Sequence, residues 1–236
     1  MNKNINRLKN SCYPGRGIII GLSPDANSYV QIYWIMGRSV LSRNRIFIRE
    51  EENIKISLFS DDDIKEDTSL IVYYPMKKYR NQHIVSNGNH TEIILNYLID
   101  NKTFEDAIET LHYEPDEPNF TPRIAGVLSL DEKIIFKLAI IKRINEENKN
   151  ITSREIFSYE DGFKGQGYCI HTYIDNNNPL PSFQGEPYIV PIFNDINETS
   201  NFYWDLLNSE NKISLVVKYI NIKDNVCSFK IFNKNK

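Results

Sequence analysis

The segment HYEPDEPNFTPRI, residues 112–124, separates a predicted helical stretch of this chain from a run of predicted strands. Its three prolines fix φ and remove backbone donors, so no helix can run through it. The segment is therefore predicted to be a stiff loop, and it carries four charged residues: Glu114, Asp116, Glu117 and Arg123. Stiff loops on a rigid scaffold often carry catalytic side chains. The alternative is a surface turn whose acids pair with Arg123 and water.

Upstream of this loop the sequence predicts two helices. The first runs from His90 to about Ile99, with Asn89 as its N-cap and Glu92 completing a variant capping box. The second begins after Thr103, which is predicted to cap it together with Asp106. Apolar residues in this second helix follow the i, i+3, i+4, i+7 spacing of a buried stripe: Phe104, Ala107, Ile108 and Leu111.

Most of the remaining elements are predicted to be strands. Apolar and β-branched runs predict strands at residues 18–22, 29–36, 46–48, 54–59, 70–74, 82–85, 124–130, 134–144, 213–222 and 226–232. A further helix is predicted at about 198–207, and the Gly-, Asn- and Pro-rich residues 162–181 are predicted to be a linker. Residues 1–11 have little to bury and are predicted to be a mobile tail, which leaves 12–236 as a single domain.

Composition excludes several classes of protein. The net charge is −3, from 28 basic and 31 acidic residues, which does not suit a general nucleic-acid binder. No apolar run approaches the roughly 20 residues needed to span a bilayer, and no secretory signal precedes the fold. Three cysteines without a pairing motif predict a reducing compartment, the cytoplasm. Metal-ligand and cofactor motifs are absent from the sequence, so we expect no metal and no cofactor.

Two stretches are candidate sites for an anion. Residues 37–45 hold three arginines together with Ser39, Ser42 and Asn44, and a guanidinium binds phosphate through two parallel hydrogen bonds. The free N–H groups of the helix start at residues 87–90 suit an anion or a carbonyl oxygen. A solvated basic turn and a helix cap without a ligand are the respective alternatives. At residues 73–74, paired tyrosines are expected to point to opposite faces.

Four blocks of residues occur in a recognisable order. They are Tyr13-x-Gly-Arg16; Arg38-Ser39 with Asn44-Arg45; Ser86-Asn-Gly-x-His90-Thr91; and Tyr113-Glu114-x-Asp116-Glu117 with Thr121-Pro122-Arg123-Ile124. Over about residues 13–130 this set resembles the stand-alone, archaeal-type IMP cyclohydrolase family. The resemblance fades in the C-terminal third, and Phe120 looks inserted before Thr121.

The resemblance implies both a fold and an activity. The expected fold is α+β, a four-layer αββα sandwich of mainly antiparallel sheets like that of N-terminal nucleophile hydrolases. The expected activity closes the purine ring of formamidoimidazole-carboxamide ribotide to give inosine monophosphate. The expected partner is therefore a small purine nucleotide substrate, with no nucleic acid and no membrane. An assembly of identical copies is compatible with the sequence.

The resemblance also implies roles for individual residues. Tyr73 would donate a hydrogen bond to the formyl oxygen, with Tyr74 as the alternative, and Glu114 would carry a proton or orient the carboxamide. Arg38 and Arg123 would stabilise developing charge. The residues implied to bind the rest of the substrate are Arg16, Ser39, Asn44, Arg45, Asn87, Gly88 and His90. Which arginine meets the phosphate is left open.

Two other functions fit the same sequence. Cys12 lies where the ordered fold is predicted to start, so removal of the preceding eleven residues would expose an N-terminal cysteine nucleophile, as in an N-terminal nucleophile amidohydrolase. The other alternative is a purine nucleotide-binding protein without catalysis. Mass and N-terminal sequencing of the intact protein distinguish the first alternative, because ring closure requires no cleavage of the chain.

Overall fold

The computed structural model describes residues 2–60, 68, 70–144 and 151–235. Its helices are α1 (Asn2–Asn10), α2 (Val40–Arg43), α3 (His90–Ile99), α4 (Phe104–Thr110) and α5 (Ile196–Leu206). A six-stranded sheet contains, in spatial order, β11 (Tyr188–Pro191), β10 (Gln166–His171), β1 (Gly17–Leu22), β2 (Ser28–Met36), β12 (Lys212–Asn221) and β13 (Cys227–Asn233). A seven-stranded sheet follows chain order: β3 (Arg45–Glu50), β4 (Asn53–Leu58), β5 (Met76–Tyr79), β6 (Gln82–Ser86), β7 (Arg123–Ser129), β8 (Phe136–Arg143) and β9 (Thr152–Tyr159).

Both sheets are antiparallel at every pairing of these strands, which confirms the expected α+β class with mainly antiparallel sheets. One cluster of buried apolar side chains includes residues of both sheets, such as Val216 on β12 and Leu138 on β8. The sheets approach closely at Gly126 on β7, where an added Cβ would lie 2.8 Å from Cδ1 of Ile20 on β1. A glycine at this position therefore lets the two sheets pack face to face.

Helices α3 and α4 cover the outer face of the seven-stranded sheet. Their apolar side chains form a second buried cluster with strands β6, β7 and β8, and the predicted stripe of α4 is buried as expected. The predicted cap is also confirmed, because Thr103 Oγ1 accepts from the Asp106 N–H at 3.1 Å while the Asp106 carboxylate accepts from the Thr103 N–H at 2.8 Å. The predicted cap of α3 is wrong: Asn89 is helical and makes no side-chain cap bond.

The opposite side of the molecule is covered by α5 and α1. Tyr203 on α5 donates to the carbonyl of Pro191 at 2.7 Å, which ties this helix to the six-stranded sheet. The sequence predicted that residues 1–11 have little to bury, and this is wrong. Leu8 on α1 is only 1% exposed, and the guanidinium of Arg7 lies 4.7 Å from the ring centroid of Tyr188 on β11. The helix is held by an apolar contact and a cation–π contact.

Two segments differ from the sequence prediction. The expected linker at 162–181 contains β10, which pairs with β1 in the middle of the six-stranded sheet and buries Cys169 and Ile170. The expected strand at 70–74 is irregular, although the Tyr73 carbonyl accepts from the Ile56 N–H at 2.8 Å; the strand of this region is β5. Strands β9 and β11 were also not predicted. Each of them pairs with the strand that precedes it in the chain, β8 and β10 respectively.

Two features are absent from the part of the chain that the structure describes. No helix in it is long and apolar enough to cross a membrane. No group of three or more His, Cys, Asp or Glu side chains within it is arranged to hold a metal ion. The three cysteines are all free.

Three buried histidines predict that acid destabilises the fold. Burial lowers the pKa values of His83, His90 and His171 to about 3, against about 6.5 in an unfolded chain. Their stabilising contribution is complete above pH 6.5 and is lost as the pH falls toward 3, at about 1 kcal/mol per pH unit for each. The pKa of Glu114 is raised by burial, so its contribution to the pH dependence of stability has the opposite sign: it favours the folded state as the pH falls.

Urea unfolding between pH 7.5 and 5 measures this effect. A folded His83→Gln variant should show a slope of stability against pH that is smaller by about 1 kcal/mol per pH unit. The control is Ser158→Ala, an exposed position on β9 that carries no titratable group and should leave the slope unchanged. Equal slopes for the parent and His83→Gln would contradict the prediction.

Candidate active site

A cleft of about 310 Å³ opens where β1 begins and β2 ends, with the proline-rich loop as one wall. Its lining residues are Tyr13, Gly15, Arg16, Met36, Arg38, Ser39, Ser42, Asp116, Asn119, Thr121, Tyr173 and Leu180. A larger cavity of about 400 Å³ lies at the other end of β6 and β7. None of the site residues predicted from the sequence lines that cavity. The cleft is therefore the better candidate for chemistry.

Glu114 does not line the cleft itself, but it forms a buried ion pair with Arg16, which does. Its carboxylate oxygens lie 3.0 and 2.9 Å from Nη2 of Arg16, and its side chain is 3% exposed. Burial raises the pKa of Glu114, and the positive charges of Arg16 and Arg123 oppose that shift. The backbone of Glu114 is fixed by a hydrogen bond from its N–H to the Thr121 carbonyl at 2.9 Å. The surface-turn alternative, with Glu114 paired to Arg123 in solvent, is therefore wrong.

Tyr73 lies beside this pair, and its hydroxyl is 2.8 Å from the hydroxyl of Tyr33 on β2. Burial raises the pKa of Tyr73, against the opposing charges of Arg16 and Arg45, so the phenol keeps its proton at neutral pH. The neighbouring Tyr74 points away, and its hydroxyl donates to Glu50 at 2.6 Å on the exposed side. The two tyrosines face opposite ways as expected. Tyr73 does not line the cleft itself, but it lies beside Arg16, which does.

Arg123 is held from behind by the turn that precedes α3. Its Nη1 lies 2.9 Å from Nδ1 of His90, and its Nε donates to the His112 carbonyl at 2.9 Å. Burial, together with the charge of Arg123, lowers the pKa of His90 to about 3, so the imidazole is neutral and can accept this bond. A Cβ at Gly88 would lie 2.8 Å from Nη1 of Arg123, so glycine leaves room for the guanidinium.

Asn87 completes this support, and its amide is engaged at both ends. It accepts from the Ile124 N–H at 2.7 Å and donates to the Pro122 carbonyl at 2.9 Å. Asn87, Gly88 and His90 were predicted to contact substrate, but none of them lines the cleft. In the structure they brace Arg123 and the end of the proline-rich loop.

The arginine cluster at residues 37–45 is divided between the rim of the cleft and the interior. Arg38 is exposed at the rim, where Nη1 donates to Asn176 at 3.0 Å and the guanidinium lies 4.9 Å from the Tyr13 ring centroid. Ser39 lines the cleft and also caps α2. Arg45 is buried behind it; Nη2 donates to the Met36 carbonyl at 3.0 Å, and Nη1 has no hydrogen-bond partner among the described residues.

Asn44 does not belong to the cleft. Its amide accepts from the Ser60 N–H at 2.9 Å and donates to the Ser60 carbonyl at 2.6 Å, which ties α2 to the end of β4. The predicted substrate-binding residues therefore separate into four groups, of which Asn87, Gly88 and His90 around Arg123 are one. Arg16 and Ser39 line the cleft, Arg45 lies behind it, and Asn44 stabilises the adjoining turn.

Several side chains of this site were given no role in the sequence prediction: Tyr33, Asn119 and Tyr173, together with Asp116 and Thr121, which were noted only as part of the proline-rich loop and the sequence blocks. Tyr173 follows β10 and was hidden in the supposed linker, and its hydroxyl contacts that of Thr121. The only sequence signal for Tyr33 is the alternation of β2, which places its side chain on the same face of the strand as Gln31. Cys12 is exposed and does not line the cleft.

Comparison with known proteins bears on this site. A family model described as "IMP cyclohydrolase-like protein" matches residues 13–225, which include all four sequence blocks and the whole cleft. The chain belongs to this family. The match also extends well beyond residue 130, where the resemblance was expected to fade. Strand β10 and Tyr173 therefore lie within the family region.

Two archaeal relatives in the family are named IMP cyclohydrolase. One, from Methanococcus maripaludis, is 28% identical over 165 residues, which is 68% of this chain and 74% of that protein. The other, from Methanosphaera stadtmanae, is 31% identical over 121 residues, which is 50% of this chain and 58% of that protein. These relatives share the stand-alone organisation that the sequence blocks indicated.

Proposed function

We propose that this protein is an IMP cyclohydrolase, an enzyme of purine biosynthesis that converts 5-formamidoimidazole-4-carboxamide ribotide to inosine monophosphate and water. The observation that carries the proposal is the buried Arg16–Glu114 pair beside Tyr73, inside the region that the family model matches. This group combines a proton carrier, a neutral hydroxyl donor and positive charge. Ring closure requires these three functions.

The chemistry follows from the substrate. The carboxamide nitrogen, a poor nucleophile, attacks the formyl carbon held next to it on the imidazole ring, so the protein gains most by fixing that geometry. Charge develops on the formyl oxygen, which accepts a hydrogen bond from Tyr73. Glu114 takes a proton from the attacking nitrogen and passes it to the formyl oxygen. The formamide nitrogen gives up the second proton as its bond to the formyl carbon becomes a double bond, the C–O bond breaks and the oxygen leaves as water. The reaction is then balanced without redox change.

The charged groups around the cleft are assigned by their positions. Arg123 is held in place by His90, and its positive charge stabilises negative charge at Glu114. Arg38 and Ser39 at the open rim suit the substrate phosphate, because a doubly charged group is best kept partly hydrated. Arg45, behind the wall of the cleft, adds positive potential beside Tyr73.

We infer further that the helices and sheets correspond to the four-layer αββα sandwich of N-terminal nucleophile hydrolases, used without a terminal nucleophile. The apolar clusters between the sheets and beneath α3 and α4, and the contacts of α5, support this assignment. We propose that residues 12–236 act as one domain. The free cysteines agree with a reducing compartment, the cytoplasm.

The direct test is incubation of the purified protein with the formamido ribotide, with formation of inosine monophosphate followed by chromatography. Turnover should proceed without added ATP or nicotinamide cofactor. Binding of inosine monophosphate without any turnover of the ribotide would favour the non-catalytic alternative. Loss of residues 1–11 in the active protein would favour the cysteine-nucleophile alternative.

A second prediction concerns the phosphate. Titration with inosine monophosphate should show an affinity that falls as the salt concentration rises, because exposed phosphate contacts are screened. Inosine is the matched control, since it lacks the phosphate and should bind with little dependence on salt. Equal salt dependence of the two ligands would contradict a phosphate site at Arg38.

A further inference from the structure

Tyr33 is the rigid member of the tyrosine pair at the cleft. It lies in the middle of β2, paired on one side with Ile18 and on the other with Val216. Its ring stacks on Phe47, with centroids 5.7 Å apart, and it is fully buried. Tyr73, by contrast, lies outside the strands, three residues before the start of β5. The position of the Tyr73 hydroxyl is therefore set by a partner on the sheet.

The direction of this hydrogen bond matters because each phenol has one proton to donate. If Tyr73 donated to Tyr33, it would have no proton left for a substrate oxygen. If Tyr33 donates instead, Tyr73 accepts on its oxygen and keeps its own proton available. Burial raises the pKa of both phenols, so both are protonated at neutral pH and the pair can adopt this direction.

We propose that Tyr33 is a positioning residue for ring closure: by donating to Tyr73, it directs the Tyr73 proton toward the formyl oxygen. This inference rests on the proposed function. A chain of two hydroxyl groups also strengthens the terminal donor, because accepting one hydrogen bond polarises the hydroxyl that makes the next. Neither tyrosine is among the residues that line the cleft, and Tyr33 is the more deeply buried of the two, at 0% exposed against 5% for Tyr73.

A double-mutant cycle separates this role from simple packing. Tyr33→Phe removes one oxygen and should lower kcat about 10-fold while KM stays unchanged, because the lost contribution is made in the transition state. Tyr73→Phe should lower kcat about 100-fold. Because Tyr33 acts only through Tyr73, the double variant should be no slower than Tyr73→Phe alone.

A structural role predicts a different outcome: the two losses would multiply to about 1000-fold in the double variant. That result, or a Tyr33→Phe protein with the parent kcat, would overturn the proposal. The matched control is Tyr29→Phe on the same strand, whose hydroxyl bonds to Asp161 at 2.5 Å away from the cleft and should leave kcat unchanged.

Two further measurements keep the test decisive. If Tyr33→Phe is too unstable to assay, Phe47→Leu displaces the Tyr33 ring, and its loss of kcat should likewise vanish in the Tyr73→Phe background. A parent protein that makes no inosine monophosphate would overturn the proposed function and the role of Tyr33 together. A parent that turns over while the losses multiply would overturn the role of Tyr33 alone.

Discussion

Replacing Glu114 by glutamine is expected to lower kcat by about 100-fold or more, because the amide cannot carry a proton between the carboxamide nitrogen and the leaving oxygen. The carboxylate is buried against Arg16 at 2.9 Å, so it is shielded from water that could take over this task. The near-isosteric amide keeps an oxygen that can still accept from Arg16. The loss should therefore appear mainly in kcat, measured at saturating ribotide.

The same substitution should also reduce stability, unlike removal of a surface ion pair. It leaves Arg16 and Arg123 without their buried counter-charge, which costs up to about 3 kcal/mol. Rates must therefore be measured at a temperature at which circular dichroism shows both proteins folded. Glu105→Gln is the matched control: Glu105 pairs with Lys137 at 2.8 Å near the surface, and its loss should cost less than about 1 kcal/mol. A folded Glu114→Gln protein with the parent kcat would remove Glu114 from the mechanism.

Elements whose information is local could be predicted from the sequence. The helix α4 is specified by Thr103 and Asp106 at its start and by an apolar stripe of period 3.6, and all of these lie within nine residues. The strands β1 and β2 form a hairpin joined by a short turn, so their pairing also needs no distant partner. In both cases the local pattern and the global fold require the same structure.

Strand β10 shows why other elements could not be predicted. Its partner on one side is β1, so His171 pairs with Gly17 across more than half of the chain. Its sequence, Gln-Gly-Tyr-Cys-Ile-His, has no clear alternation, because both faces of a central strand are buried. Flanking glycine, asparagine and proline residues then favoured a linker over a strand.

The site follows the same division. The stiff proline-rich loop pointed to four charged residues as candidates, and the resemblance indicated Glu114 among them. Its partner could not be found, since Arg16 lies 98 residues away while Arg123 is close in sequence. The same holds for Tyr73, whose partner Tyr33 lies 40 residues away on β2. Both contacts join a loop to the six-stranded sheet or its edge, and they depend on how that loop packs in the folded chain.

The adjacent tyrosines allow the donor to be tested with an internal control. Tyr73→Phe removes a buried hydroxyl beside Arg16, whereas Tyr74→Phe removes one that bonds to Glu50 on the surface. Loss of a single hydrogen-bond donor to a developing oxyanion costs about 100-fold to 1000-fold in rate. We therefore expect kcat to fall at least about 100-fold in Tyr73→Phe, and we expect Tyr74→Phe to keep the parent rate.

The distribution of the effect between kcat and KM identifies what Tyr73 does. Removing a donor that acts on the charged oxygen of the transition state lowers kcat and kcat/KM equally. Removing a residue that only binds the substrate raises KM instead. Both substitutions keep the ring, so packing around Tyr73 should change little, and thermal unfolding checks this. If Tyr74→Phe were the slower enzyme, the donor would have to reach the substrate from the opposite face of this segment. The burial of Tyr73, its contact with Tyr33 and its position beside Arg16 all favour the cleft side.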